Sequence, residues 1–166
     1  MVVAAVTLFA ACHSSYRATD TTVVVAPSDV QTAFTTQYPS ATEVVWSNYD
    51  QAMVPIDWDL SGWATPNERD YLVRFNMENE NYYAWYDDSG SWIGTAYVIK
   101  DTKTVPDVVT NTINKQFSDY TITGINKEFQ KDRMVYEVEL KNNDNKVKML
   151  IDANGNIIKQ KTKPLN

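Results

Sequence analysis

The chain has little of the chemistry that most metal and cofactor sites need. Its 166 residues include one cysteine, Cys12, and one histidine, His13. A single thiol cannot build a disulfide framework or a multi-cysteine metal site, and a single imidazole excludes a multi-histidine centre. Basic residues are outnumbered 15 to 21, which gives a net charge of −6. Nucleic-acid binding needs a basic surface to contact phosphates, so we expect no nucleic-acid partner. With one cysteine and one histidine, we also expect no metal and no cofactor.

The N-terminus lacks a hydrophobic run long enough to cross a membrane. Residues 1–11 read MVVAAVTLFAA, whereas a membrane-spanning helix needs about 20 apolar residues. The segment is typical of a secretory signal, and LFAAC at 8–12 resembles the lipobox of bacterial lipoproteins. This resemblance implies cleavage before Cys12, acylation of that cysteine and a tether over residues 12–26. The alternative is a buried N-terminal strand or helix with an ordinary free cysteine.

Two blocks of the sequence recur further along the chain. Four residues of the first block recur 79 positions later: Pro27, Val30, Gln37 and Thr42. Five residues of the second block recur 65 positions later: Tyr71, Val73, Asp87, Gly90 and Ile93. The two offsets differ by 14, which predicts an insertion in the first copy, within residues 48–69. We therefore predict a first repeat over 27–104 and a second over 105–166.

Each copy begins with apolar residues at helical spacing and continues with strands of period two. One side of a predicted strand carries Tyr71, Val73 and Phe75 in the first copy and Tyr136, Val138 and Leu140 in the second. Later strands are separated by polar turns that end in Gly90 and Gly155. The pattern predicts an α+β fold in which each copy contributes one helix and about four antiparallel strands. We expect the two sheets to join, with both helices on one face and the other face open.

The order of these elements and several short phrases resemble the PepSY-like family of bacterial proteins, also called β-lactamase-inhibitor-like. The phrases are VQTAFTTQYP at 30–39, VVW at 44–46, YLVRF at 71–75 and DDSGSW at 87–92. The resemblance extends over about 28–160. It implies tandem helix-plus-sheet repeats in a secreted lipoprotein of Bacteroidetes, with no established enzymatic activity. It transfers no inhibitory residue to this chain.

Aromatic residues and negative charge are concentrated in the first copy. All five tryptophans precede residue 105, and residues 1–104 carry a net charge of −8 against +2 for residues 105–166. This composition predicts a recognition surface in the first copy. Strand alternation puts Tyr83 and Trp85 on the open face near Arg74, and the insertion adds Trp58 and Trp63. The alternative is that the insertion folds over this face and buries the rings.

The favoured hypothesis is a non-catalytic, lipid-anchored binding protein of the cell envelope that recognises a protein or peptide through its open face. It would contact the membrane through its anchor only, in the periplasm or at the outer membrane. A glycan-binding module that uses the tryptophans is the second hypothesis. The third is a carboxylate-based hydrolase, because Asp57 and Asp59 are spaced to lie on one side of an extended segment.

Overall fold

An antiparallel sheet of eight strands organises the computed structural model, which describes residues 24–50 and 55–165. The strands lie side by side in chain order, so every connection joins neighbours. They are β1 (Thr42–Asn48), β2 (Tyr71–Met77), β3 (Glu80–Tyr86), β4 (Trp92–Val98), β5 (Thr121–Gln130), β6 (Arg133–Lys141), β7 (Asn145–Asp152) and β8 (Ile157–Pro164). The α+β prediction is confirmed as a mixed fold with one antiparallel sheet. The predicted signal segment and Cys12 lie outside the described residues.

In the described ranges, three α-helices and one short 3-10 helix (Thr102–Thr104) interrupt the sequence of strands. Helix α1 (Ser28–Gln37) precedes β1, the short α2 (Trp58–Ser61) lies between β1 and β2, and α3 (Asp107–Gln116) precedes β5. Pro27 and Pro106 occupy the N-cap positions of α1 and α3, where the fixed φ of proline suits the start of a helix. None of the helices in the described ranges is long and apolar enough to cross a membrane.

Helices α1 and α3 bury their apolar residues against the sheet. Val30 and Phe34 of α1 pack with side chains of β2 and β3 that include Val73 and Phe75. Residues of α3 pack in the same way on β5 to β7, in a cluster that contains Val109, Ile113, Ile125, Val138 and Met149. Cross-strand pairing runs from Tyr82 through Tyr97, Lys127 and Tyr136 and places both sets of strand residues on one side of the sheet. We call this side the helix face.

Residues 55–63, in the connection between β1 and β2, lie on the opposite side of the sheet, which we call the second face. Asp57 caps α2 by accepting a 3.0 Å hydrogen bond from the Leu60 backbone N–H. Gly62 ends α2 in the left-handed conformation, with φ 69°. The side chains of this segment pack on first-half and second-half strands alike, in two clusters: Ile56, Trp58 and Trp63 with Leu72, Trp85 and Ala96, and Leu60 with Val135 and Leu150. Residues 55–63 therefore form a cover over the second face.

The placement of Trp58, Trp63 and Trp85 on an exposed binding surface is wrong, and the structure shows the alternative, in which the insertion folds over this face. Trp58, Trp63 and Trp85 retain only 6%, 5% and 0% of their exposed surface. Their rings meet edge to face, with centroids 5.1 Å to 6.0 Å apart. An aromatic side chain buries about 150–250 Å² and gains further from edge-to-face contacts, so stacking these rings beneath the cover is favoured over hydrating them. Arg74 and Tyr83, on the same face, are only half-buried.

Candidate functional site

The cover leaves a depression at one end of the second face, where β1, β2 and β3 lie side by side. Its volume is about 260 Å³. The lining side chains that belong to this face are Glu43, Val45, Arg74, Asn76, Asn81 and Tyr83. We call it the Arg74 pocket.

Strand register assembles the floor of the Arg74 pocket. Arg74, near the middle of β2, pairs with Val45 of β1 on one side and with Tyr83 of β3 on the other. Directly paired residues point to the same face, so these three side chains form a row across the sheet. Asn76 and Asn81 pair one step along and form the next row. The sequence predicted the proximity of Arg74 and Tyr83, and the register confirms it.

The guanidinium of Arg74 has no partner among the described residues. Its Nε atom is buried and makes no hydrogen bond. Two other basic groups of the first half are paired: Arg69 lies 3.8 Å from Asp88, and Lys100 lies 3.7 Å from Glu80. A charged group that loses hydration without gaining a partner is unfavourable. Arg74 is therefore a half-buried cation for which an external ligand could supply hydrogen-bond acceptors.

Tyr83 forms the aromatic part of the pocket. Its ring lies nearly parallel to that of Trp85, at an interplanar angle of 17° and a centroid distance of 6.4 Å. Trp85 is fully buried and held by the rings of the cover. The cover therefore has an indirect role at this site, because it fixes the ring on which Tyr83 rests.

Glu43 reaches the rim of the pocket through an irregularity in β1. The β1–β2 register shifts between Thr42 and Val45, and Glu43 has a positive φ of 52°. A non-glycine residue in this region is uncommon and carries a conformational cost. The Asn76 side-chain amide donates a 2.5 Å hydrogen bond to the Glu43 carboxylate. Sequence reasoning missed Glu43, Asn76 and Asn81, since period-two alternation does not predict a bulge.

The Arg74 pocket continues into a second, more polar depression of about 490 Å³. The two share Glu43, Asn76 and Asn81, and the second extends to Asn79 and Lys100. Glu78 and Asn79, in the two-residue turn between β2 and β3, have φ values of 54° and 64°. Together the depressions form a groove across the ends of three strands, which we call the β1–β3 groove.

Asp57 and Asp59 have structural partners. The Asp57 carboxylate accepts hydrogen bonds from Lys161 Nζ at 2.7 Å and from the Leu60 N–H at 3.0 Å. Partial burial would raise the pKa of Asp57, but these hydrogen bonds outweigh it and the net effect lowers the pKa. Asp59 lies on the surface, 3.4 Å from the same lysine. A glycoside hydrolase needs one carboxyl group with a raised pKa, and Asp57 does not provide it.

A second pair of acidic residues lies beneath the cover. Glu128 is fully buried, and neither of its carboxyl oxygens has a hydrogen-bond partner among the described residues. Burial and the neighbouring Glu137 raise the pKa of Glu128 to about 9. Glu137 is itself tied to the cover, because its carboxylate accepts a 2.7 Å hydrogen bond from the Asp57 N–H. Neither group lines the β1–β3 groove.

The structure offers no metal centre within residues 24–50 and 55–165. No group of three or more histidine, cysteine, aspartate or glutamate side chains in these ranges could hold an ion. The turns after Asp87 and Asp152 use their carboxylates locally, to accept backbone N–H bonds from Ser91 at 2.8 Å and from Asn156 at 2.8 Å. They are hairpin turns, as the sequence predicts.

A model of a known protein family matches the chain. Residues 69–159 match the model of the family described as "putative beta-lactamase-inhibitor-like, PepSY-like". The matched segment is 91 residues long (159 − 69 + 1), more than half of the 166. The chain belongs to this PepSY-like family. The resemblance seen in the sequence is therefore confirmed. A comparison with curated proteins finds no match.

Solved structures share the fold of this PepSY-like protein at low sequence identity. A DUF2874 family protein from Bacteroides uniformis is 22% identical, with a TM-score of 0.65 over 83% of this chain and 90% of that one. A BLIP-like protein from Bacteroides fragilis is 13% identical, with a TM-score of 0.68 over 86% and 90%. A protein from Bacteroides eggerthii, described as a putative periplasmic protein, is 17% identical, with a TM-score of 0.64 over 84% and 90%. At these identities the likeness shows the fold alone.

Proposed function

We propose that this PepSY-like protein is a non-catalytic binding protein of the cell envelope that recognises a protein or peptide through the β1–β3 groove. The carrying observation is the unpaired Arg74 beside the half-buried ring of Tyr83. Arginine and tyrosine are, with tryptophan, the residue types enriched at the energetic centres of protein interfaces. The groove lies on the face where strand alternation predicted the recognition surface, but it uses Arg74 and Tyr83 without the three tryptophans.

The tryptophans are part of the scaffold in this proposal. Trp58, Trp63 and Trp85 are inaccessible while the cover is closed, so they cannot serve as stacking platforms for a sugar. This weakens the glycan-binding alternative. The hydrolase alternative loses support because Asp57 caps α2 and holds Lys161.

Membrane attachment is a separate part of the proposal. Cleavage before Cys12 and acylation of its thiol would place the folded region beyond a tether shorter than the predicted 12–26. The Val24 N–H donates a 3.2 Å hydrogen bond to the Trp46 carbonyl, and Ala26 is buried in the core cluster of α1, so these residues belong to the folded region. Mass spectrometry of the native protein should show a lipidated N-terminal cysteine. A Cys12→Ser variant should leave the membrane fraction, and an intact N-terminus or unchanged fractionation would refute the anchor.

Photocrosslinking tests the binding site. We would place a photoreactive phenylalanine analogue at position 83 and, as the matched control, at position 71. Tyr71 is also half-buried but pairs with Tyr86 on the helix face. Irradiation in cells should give a discrete polypeptide adduct from position 83 and none from position 71. Equal adducts from both positions, or none from position 83, would refute the proposed surface.

A further inference from the structure

We propose that Arg74 binds the carboxylate of an aspartate or glutamate side chain of the partner polypeptide. This inference rests on the proposed function and specifies the chemistry of its central contact. The buried Nε of Arg74 makes no hydrogen bond with a described residue, and the side chain lines the pocket. A carboxylate that docks on the guanidinium would form charge-assisted hydrogen bonds, which are about twice as strong as neutral ones.

The surroundings of Arg74 favour a single negative charge. Glu43 lies on the rim of the same pocket and is held there by Asn76. A phosphate or sulfate ester would bring a larger charge beside this carboxylate and would be repelled more strongly. Asn81 is exposed at the rim, and its side-chain amide can donate to a second carboxylate oxygen. The pocket therefore suits one carboxylate.

The shape of the β1–β3 groove favours a polypeptide over a free small acid. The second depression of the groove has a volume of about 490 Å³, and Asn76, Asn79 and Asn81 line it together with Glu43 and Glu78. Asparagine side chains both donate and accept hydrogen bonds, as a peptide backbone requires. The pocket lies at the uncovered end of the second face and is continuous with the second depression, so we assign the carboxylate to a side chain within the bound segment.

Selected peptides provide the probe. Random phage-displayed peptides would be selected on the full-length protein and screened for loss of binding to Tyr83→Ala. Each peptide that passes would then be synthesised with an amidated C-terminus, which removes the terminal carboxylate. In further copies each Asp would be replaced by Asn and each Glu by Gln. We expect one such replacement to weaken binding to the wild-type protein at least tenfold.

The arginine variants complete a double-mutant cycle. On Arg74→Gln the acidic peptide and its amide version should bind alike, and Arg74→Lys should restore part of the difference. Arg69→Gln is the matched control: Arg69 is exposed and lies outside the pocket, so this variant should bind as wild type. Thermal unfolding of each variant checks that the fold is intact.

The outcomes separate the two proposals. If every acid-to-amide replacement changes binding less than twofold, or if Arg74→Gln keeps the full difference between acid and amide, the carboxylate assignment is wrong. The proposed function would survive that result, because the peptides would still depend on Tyr83. If selection yields no peptide that depends on Tyr83, the proposed function fails and the carboxylate assignment fails with it.

Discussion

Replacing Glu128 should change how the stability of the protein depends on pH. Its raised folded-state pKa, about 9 against an ordinary value of 4.5, means that the folded protein holds a proton that the unfolded chain releases. The unfolded state therefore binds fewer protons between these two values, and the free energy of unfolding falls as pH rises through that window. Each pH unit is worth about 1.36 kcal/mol, so from pH 5 to pH 8 the wild type should lose about 4 kcal/mol.

Urea unfolding at pH 5, 6, 7 and 8 measures this slope. Glu128→Gln keeps the shape of the side chain and has no proton to lose, so its stability should be nearly flat across this range. At pH 7 the variant should have a free energy of unfolding about 3 kcal/mol above that of the wild type, because it does not lose stability by deprotonation. The cost of burying an unpaired amide group reduces this gain.

Glu139→Gln is the matched control. Partial burial opposes ionisation of Glu139, but hydrogen bonds from Lys146 and Thr123 outweigh it and lower its pKa. Its contribution to stability is therefore lost only at acidic pH, below the ordinary value, and this variant should keep the wild-type slope from pH 5 to pH 8. A wild-type stability that is level or rises over this range would show that Glu128 is ionised in the folded protein and refute the reasoning.

Three further substitutions test the packing and the cover by denaturant unfolding. Phe75→Ala removes a ring that is 2% exposed and whose centroid lies within 5.3 Å of the ring centroids of Phe34, Tyr38 and Tyr82. The substitution should lower the free energy of unfolding by about 3–5 kcal/mol, and a loss below about 1 kcal/mol would show that this side of β2 does not face the core. Gly94→Ala would bring a methyl group to 2.5 Å from the Trp63 ring. The substitution should therefore destabilise the folded protein and shift its tryptophan fluorescence to the red, and an unchanged spectrum would contradict the closed cover. Asp57→Ala should lower the free energy of unfolding by about 1 kcal/mol because the N-cap of α2 is lost, and Lys161→Ala should lower it by less. The reverse order would show that the ion pair with Lys161 contributes more than the cap.

Much of the sheet could be predicted because its signals are local. Alternation along β2 and β6 identified Phe75 and Val138 as core residues, and both are buried. Gly90 and Gly155 have φ values of 88° and 82°, and each closes the hairpin that the sequence indicated. The origin of the two halves in a tandem repeat stays a prediction, supported by the helix-then-four-strands order in each half.

The site was only partly predictable because its decisive features depend on distant parts of the chain. Counting offsets located an insertion, but nothing within a tryptophan-rich loop specifies whether it projects into solvent or folds onto a sheet face. Arg74 could be placed beside Tyr83 by strand phase, whereas its lack of an ion pair depends on which acids the other strands bring close. Glu43 enters the pocket through a bulge, which shifts the register in a way that period-two reasoning cannot detect.

The cover also determines how the molecule should fold and unfold. Its rings pack on Leu72 and Trp85 of the first half, while its polar groups bond to the second half, where Arg133 donates to the Ser61 carbonyl at 2.6 Å and Lys161 reaches Asp57 across 104 positions of sequence. Neither half can lose its structure without exposing the apolar underside of the cover, so the two halves should melt in one cooperative transition. Contacts this far apart in sequence form late and slow the folding reaction. A sheet of eight strands in simple chain order, which could have unzipped strand by strand from either edge, is thereby made into a single folding unit.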